Sequence, residues 1–596
     1  MPRRRSRSGA CASSCVRGGE RGEGVCVRRL PRDYWHQVPK GKTCRGRVWS
    51  RALNRAAAPT TGASYREVGV ELNRRTRRGE ARRPDVVVVG AGGAGAVLAA
   101  RLSEDPGRAV LLLEAGPSPR DPAGFGPELL DARQVPGARP GHPATSSTPV
   151  HLTPERPWSV PRGRVLGGST TVNGGYFVRA RREDFDRWAA AGNPAWSYAN
   201  VLPHLRALET DLDHGADELH GGRGPMRIRR NFPAHPAAVA FRDAAYALGF
   251  PPDPDKNDQG PPGFGPVPSN SVDGVRRNTA LSYLTPEVLE RPNLTVLCGC
   301  RVLRVVIARD RATGVVVERA RVRTTMDAGS VVLSAGALAT AQLLHLSGIG
   351  PRGCLERAGV SVVRDVPAVG ARFSDHPQLA LEWQPHRDLG PAADTWLGGC
   401  LHLASTGREA GPGDLEILQS LTPLAGLVGQ DAGPRGAPLP FLVSALAPRP
   451  TGRVRLRSAD PDMAPRVDYD YLRTPGDRRR LREAVRVTAA LFDTAALGDI
   501  SSGPPGPSPR VLADDGSLDE WIRDRLGTSQ HTCGTAPMGD TDDPEQAVVD
   551  QFGRVHGIRA LRVADTSILP DAPHRGPAAT AVLIGEVVAH AMRAGA

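Results

Sequence analysis

At 596 residues, with 68 glycines and 55 prolines, the chain is long enough for two or more domains and predicts a loop-rich body. Its formal net charge of +14 points at first to nucleic acid or an anionic membrane, but residues 1–83 carry 22 Arg plus Lys against 6 Asp plus Glu, a balance of +16 that leaves −2 for the remainder. Charge therefore gives the body no nucleic-acid surface, and no run approaches the roughly 18 apolar residues needed to span a bilayer.

The basic leader, residues 1–83, lacks both a sustained apolar period and the apolar run of about 7–15 residues that a secretory signal requires, and is expected to be disordered. Three readings of it stand: a stretch translated from a start codon assigned too early, a basic tail for membrane or nucleic acid, and a targeting segment. Four of the nine cysteines lie there. The other five, Cys298, Cys300, Cys354, Cys400 and Cys533, include one CxC and no CxxC, so neither a disulfide framework nor a metal site is expected. A cytoplasmic location fits, with peripheral attachment at the inner face of the membrane left open.

Ordered pattern begins at Pro84. Val86–Val89 suits a strand covered on both faces, and the chain turns through Gly90, Gly92 and Gly95 into the helix-like run AVLAARLSE. Gly90 permits the tight turn, Gly92 lets backbone amides close on a pyrophosphate, and Gly95 allows the helix to pack on the strand. A second strand, 109–113, ends at Glu114, 19 residues beyond Gly95, where a carboxylate accepts hydrogen bonds from the ribose hydroxyls of adenosine. This α/β dinucleotide pattern favours FAD or NAD over NADP, because the acid repels a 2′-phosphate.

A Pro/Gly-rich connection leads to PRGRVLGGSTTVNGGYFVRARREDFDRW, 161–188, whose glycines and small hydroxyls leave main chain uncovered. Alone it fits a mobile loop as well as a surface for a flat ring. NPAWSYANVLPHLRALETDLDHG then predicts an amphipathic helix, NLTVLCGCRVLRVVIAR a pair of strands, and VVLSAGALATAQLLHLSGIG a buried strand, glycine turn and helix closed by Gly348. From about Asp375 the composition shifts to loops and alternating strands such as VRLRSADPDMAPRVDYDYL. Aromatic residues are sparse, which disfavours an aromatic cage for a quaternary ammonium.

GRxLGGST followed by Asn173 and an acid-rich helix start resembles the first signature of the glucose-methanol-choline (GMC) oxidoreductase family, and 331–350 resembles its second, with Ala341 where the pattern has Pro or Ser. The likeness extends over about 84–596. It implies a Rossmann-like FAD-binding domain with a discontinuous chain, 84–374 and 525–596, and an α+β, sheet-based substrate domain, 375–524. It also implies flavin contacts from Arg164, Gly167, Gly168, Ser169 and Asn173, an adenine contact from the Val302 backbone, and a ribityl or pyrophosphate contact from Asp565.

HTCGTAPMG, 531–539, is similar to the block that opens in the family with the active-site histidine, which makes His531 the expected base facing the flavin N5. A neutral imidazole suits proton removal from a hydroxyl near neutral pH. Ten residues before Glu586 the family places a second His or Asn, and this chain has Gly576. His574 either turns inward to replace the missing group or lines the substrate mouth with Arg575. Cys533 is expected to be a packing thiol.

VNGGYF, HLRALETDLDHG, HGGRGPMRIRR, HTCGTAPMG and PHRGP look most like the mycofactocin-associated branch of the family. That likeness implies oxidation of mycofactocinol, the reduced form of a peptide-derived redox cofactor, with electrons passed to a respiratory-chain acceptor by a dehydrogenase rather than an oxidase. The alternatives are a primary-alcohol or choline-type dehydrogenase and an FAD-binding lyase or binding module without net redox turnover.

Overall fold

The structure, a computed structural model, describes residues 83–118, 125–215, 217–231, 234–407, 411, 413–430, 436–446, 449–540, 543 and 545–595. The leader readings concern residues that, Arg83 apart, lie outside these.

In chain order the elements that place the site are β1 (Val86–Val89), α1 (Gly95–Leu102), β2 (Val110–Leu113), β3 (Thr145–Thr153), β4 (Arg156–Gly163), α2 (Arg182–Ala190) and α3 (Tyr198–Leu208). Next come β5 (Phe264–Pro266), β6 (Leu294–Leu297), β7 (Ser330–Leu333), α4 (Ala337–Leu346), β8 (Pro377–Trp383), β9 (Leu397–Leu403), β10 (Leu415–Ser420) and β11 (Leu439–Ala445). The chain finishes through β12 (Arg453–Arg455), β13 (Arg466–Asp468), α5 (Pro475–Leu491), β14 (Gly527–Thr528), β15 (Leu561–Val563) and α6 (Ala578–Arg593).

Five strands form a parallel sheet in the order β6-β2-β1-β7-β15. All four valines of β1 are buried, as a strand with both faces covered requires. α1 packs against α6 closely enough that a methyl on Gly585 would lie 2.7 Å from Val97 Cβ. Behind that contact Glu586 receives Arg101 Nε at 2.9 Å and the Tyr283 hydroxyl at 2.7 Å, tying the last helix to the first.

A second, antiparallel sheet runs β14-β8-β11-β10-β9-β5, and β12-β13-β3-β4 form a third. β5 carries a piece of the first half of the chain into the second sheet, and β15 returns the last segment to the first sheet. The chain thus passes back and forth between the two sheets, and distant segments meet where they adjoin.

Two sequence expectations change in detail. The helix expected from Asn193 to Gly215 spans only Tyr198–Leu208, because Glu209 and Asp211 enter a short strand and pair inward. The strands expected between Asn293 and Arg309 both form, but β6 joins the parallel sheet while Arg301–Ala308 pairs with Arg311–Arg319 in a separate one.

The inward pairing builds a buried ion network. His220 Nδ1 lies 3.2 Å from both Glu209 and Asp211, and its Nε2 lies 2.8 Å from Asp255. Arg230 bridges Asp211 and Asp255, and Arg179 holds Glu209 at 2.6 Å. Burial alone would lower the His220 pKa, but the carboxylates around it raise it from 6.5 to about 11. A raised folded-state pKa stabilises fully below 6.5, and the contribution declines by about 1.4 kcal/mol per pH unit above that until pH passes about 11. His220→Asn should therefore cost about 3–5 kcal/mol near pH 6 and progressively less toward pH 10, a margin that paired urea-unfolding curves would read.

Candidate active site

The two glycine segments meet at the carboxyl end of β1. The amide of Gly167 donates to the carbonyl of Ala91 at 2.8 Å, and a methyl on Gly168 would lie 2.7 Å from Gly92 Cα. Gly90 has φ of +98°, and a methyl there would strike the Ser334 carbonyl at 2.5 Å. A methyl on Gly95 would come within 1.9 Å of the Gly90 carbonyl, so α1 abuts the turn only because that residue has no side chain. The two glycine segments thus lie backbone against backbone, a close approach that side chains would forbid.

Glu114 stands at the end of β2. Its carboxylate accepts the amides of Ala91 at 3.0 Å and Gly116 at 2.8 Å, so it braces the glycine turn from below. Burial raises its pKa. Arg164 donates its backbone amide to Ala144. The Ser169 hydroxyl accepts the Gly163 amide at 3.2 Å, and Asn173 Oδ1 accepts the Gly175 amide at 3.1 Å, so both side chains shape the loop. Val302 sits buried just beyond β6. Asp565 gives one carboxylate oxygen to the Gly336 amide and Thr340 hydroxyl and the other to the amide and hydroxyl of Ser567. With four protein donors it fixes the second glycine turn.

His531 follows β14. Its amide and that of His376 both donate to Oδ1 of Asp375, at 2.8 and 2.7 Å, while the Thr532 hydroxyl takes Oδ2 at 2.7 Å. Ser374 and Cys533 exchange backbone bonds at 2.9 and 3.0 Å, zipping the start of β8 to the histidine loop. Arg162, near the end of β4, donates to the carbonyl of Gln530 and the hydroxyl of Thr532. Two sheets thus converge on one loop. The Cys533 thiol, pushed up by burial, bonds the His531 carbonyl at 3.1 Å.

His376 was not legible as a site residue. Its Nδ1 lies 2.8 Å from Nδ1 of His531 with the rings nearly perpendicular. Burial holds both imidazoles neutral: His376 is pushed down to about 3, and His531, beside His376 and Arg162, well below its usual value. One Nδ1 must donate and the other accept. His376 Nε2 is buried without a hydrogen-bond partner among the described residues. In the tautomer in which His531 donates from Nδ1 to His376, the Nε2 lone pair of His531 is free to take a proton.

His574 does not stand beside His531 as its replacement partner. Its amide and Nδ1 both bond the buried carboxylate of Asp184 in α2, at 2.9 and 2.5 Å, and its Nε2 faces Gly411. Burial would raise the Asp184 pKa, but the His574 pair and Arg187 hold it well below the carboxylate range. The space beside His531 belongs to Tyr176. A methyl on Gly576 would lie 3.2 Å from His531 Cε1 and 3.2 Å from the Tyr176 ring, so the glycine makes room for the tyrosine. Its hydroxyl donates to Glu416 at 2.8 Å.

Residues 84–378 match the N-terminal domain, and 448–585 the C-terminal domain, of the GMC oxidoreductase family. A GMC-type oxidoreductase from Rhodococcus erythropolis is 40% identical over 85% of this chain and 98% of its own length. An oxygen-dependent choline dehydrogenase from Rhizobium rhizogenes is 33% identical over 85% of this chain and 94% of its own. Among solved structures, pyridoxine 4-oxidase from Mesorbium loti superposes with a TM-score of 0.78 at 29% identity, covering 86% of this chain and 99% of that one. A formate oxidase from Aspergillus oryzae gives a TM-score of 0.78 at 25% identity, with 87% and 99% covered. With the packed glycine segments, the histidine loop and these likenesses together, the chain belongs to the GMC oxidoreductase family and takes FAD as its cofactor.

Proposed function

We propose that this enzyme oxidises mycofactocinol, a reduced peptide-derived redox cofactor, with His531 as the base, and hands the electrons to a respiratory-chain acceptor rather than to oxygen. The observation that carries this reading is Gly576. Position 576 offers the substrate side of the site no imidazole or amide, and the Tyr176 ring lies against it instead, so the site suits a substrate whose hydroxyl is already acidic, as a phenol or enol is, better than one that must become an alkoxide. The segments VNGGYF, HGGRGPMRIRR and PHRGP, which carry the likeness to the mycofactocin-associated branch, are the ones that supply Tyr176, the His220 network and Gly576.

FAD held against the glycine segments would supply a hydride acceptor. The chain's own task is the proton. A substrate hydroxyl placed at Nε2 of His531 loses its proton to the ring, whose new charge is shared through Nδ1 with His376. Asp375 holds both backbones in that register, and burial excludes water that would compete for the proton.

A primary-alcohol reading also has support, because relatives over nearly the whole chain are named choline dehydrogenases. Anaerobic mixing of FAD-loaded enzyme with a substrate panel separates them. Bleaching of the flavin band by mycofactocinol but not by choline or simple alcohols supports the proposal; bleaching by an alcohol alone overturns it. No bleaching by any points to a lyase or binding module. Reoxidation by quinone but not oxygen would support the acceptor. Among the described residues no helix is long and apolar enough to cross a membrane.

A further inference from the structure

Behind the Tyr176 ring, four side chains of metal-ligating type meet in the seam between the glycine-loop segment and the six-stranded sheet. Cys400 and His402 are two apart on β9 and so share a face, and Glu416 on β10 is the cross-strand partner of His402. His402 Nε2 lies 3.1 Å from Glu416 Oε2 and 3.7 Å from Cys400 Sγ, and Sγ lies 3.9 Å from the same carboxylate oxygen. The Tyr176 hydroxyl lies 2.8 Å from that oxygen and 3.4 Å from His402 Nε2. Cys400, His402 and Glu416 are buried.

Bonds of about 2.0–2.3 Å to a tetrahedral zinc ion imply ligand-to-ligand edges of about 3.3–3.8 Å. The five edges above, 2.8 to 3.9 Å, straddle that range, so movements of a few tenths of an ångström would close the cage. We propose that Cys400, His402 and Glu416, with the Tyr176 hydroxyl in the fourth position, bind a zinc ion that staples the glycine-loop segment to the substrate sheet. A thiolate with an imidazole suits zinc and excludes magnesium and calcium, which prefer all-oxygen sites.

The surrounding charge permits it. Lys256 is paired with Asp253 at 2.8 Å, the guanidinium of Arg575 bonds the carbonyls of Gly413 and His574, and that of Arg181 bonds the carbonyls of Gly260 and Gln259. Zinc with one thiolate and one carboxylate sums to zero, so it adds no net positive charge beside Arg575. Glu209, Asp211 and His220 form a comparable group, but Arg179 and Arg230 already fill it.

The proposal is independent of the substrate. Elemental analysis of the purified, FAD-loaded protein should find about one zinc per chain. Cys400→Ser and Glu416→Gln should each lose it, while Cys354→Ser, which alters a buried thiol elsewhere, keeps it. Because Cys400→Ser could impair folding, the wild-type protein is also stripped by a chelator and reconstituted with cobalt(II), when ligand-field bands of a tetrahedral thiolate site should appear to the red of the flavin absorption. Wild-type protein that holds under about a tenth of an equivalent and shows no such bands would overturn the proposal, as would zinc retained in full by Cys400→Ser.

Discussion

Replacing His376 by leucine is expected to slow flavin reduction by about 10–100-fold while FAD content and the unfolding midpoint stay near wild type. The bond from His531 Nδ1 to His376 Nδ1 at 2.8 Å is neutral-to-neutral at rest and becomes charge-assisted once His531 holds the substrate proton. A hydrogen bond to a charged group is worth about 1.5–3 kcal/mol, and each 1.4 kcal/mol is about tenfold in rate. His376→Gln, which can accept through Oε1, should recover most of the rate. If leucine and glutamine behave alike, His376 merely fills space. Rapid anaerobic mixing reads the rate.

Removal of the base itself has the larger effect. His531→Ala should lower turnover by about 10²–10⁴, the usual worth of a positioned general base. The loss should fall on kcat more than on KM, since the imidazole gains its interaction as the proton moves. The loop around it should survive, because Asp375 grips the backbone amide of residue 531 rather than its side chain. Equal FAD content in variant and wild type checks that separation.

The parts legible in the sequence were those whose cause is local. Val86–Val89, the glycine turn and Glu114 form one contiguous strand-turn-strand unit, and each residue's reason lies within a few positions of it. The same holds for the turn closed by Gly348, with φ of +79°. His376 was invisible because its partner lies 155 positions away and nothing beside it in SDHPQ differs from an ordinary strand entry. The helix expected through Gly215 overran its end because its apolar spacing continues past Leu208, while Glu209 and Asp211 are drawn inward by His220, Arg179 and Arg230. His574 was open between two roles; Asp184, 390 positions upstream, decides its orientation. Cys400 stood in the sequence only as one of the scattered cysteines, and its meeting with His402 and Glu416 was not legible, since strand register is set by tertiary pairing.

The most direct test of this account is the single-turnover rate of flavin bleaching, measured anaerobically with a reducing substrate for wild type and His531→Ala, both fully loaded with FAD. The account predicts a variant slower by about two to four orders of magnitude, with partial recovery when imidazole is added to the buffer. Bleaching of the variant at the wild-type rate would contradict it, and would place the base elsewhere in the site.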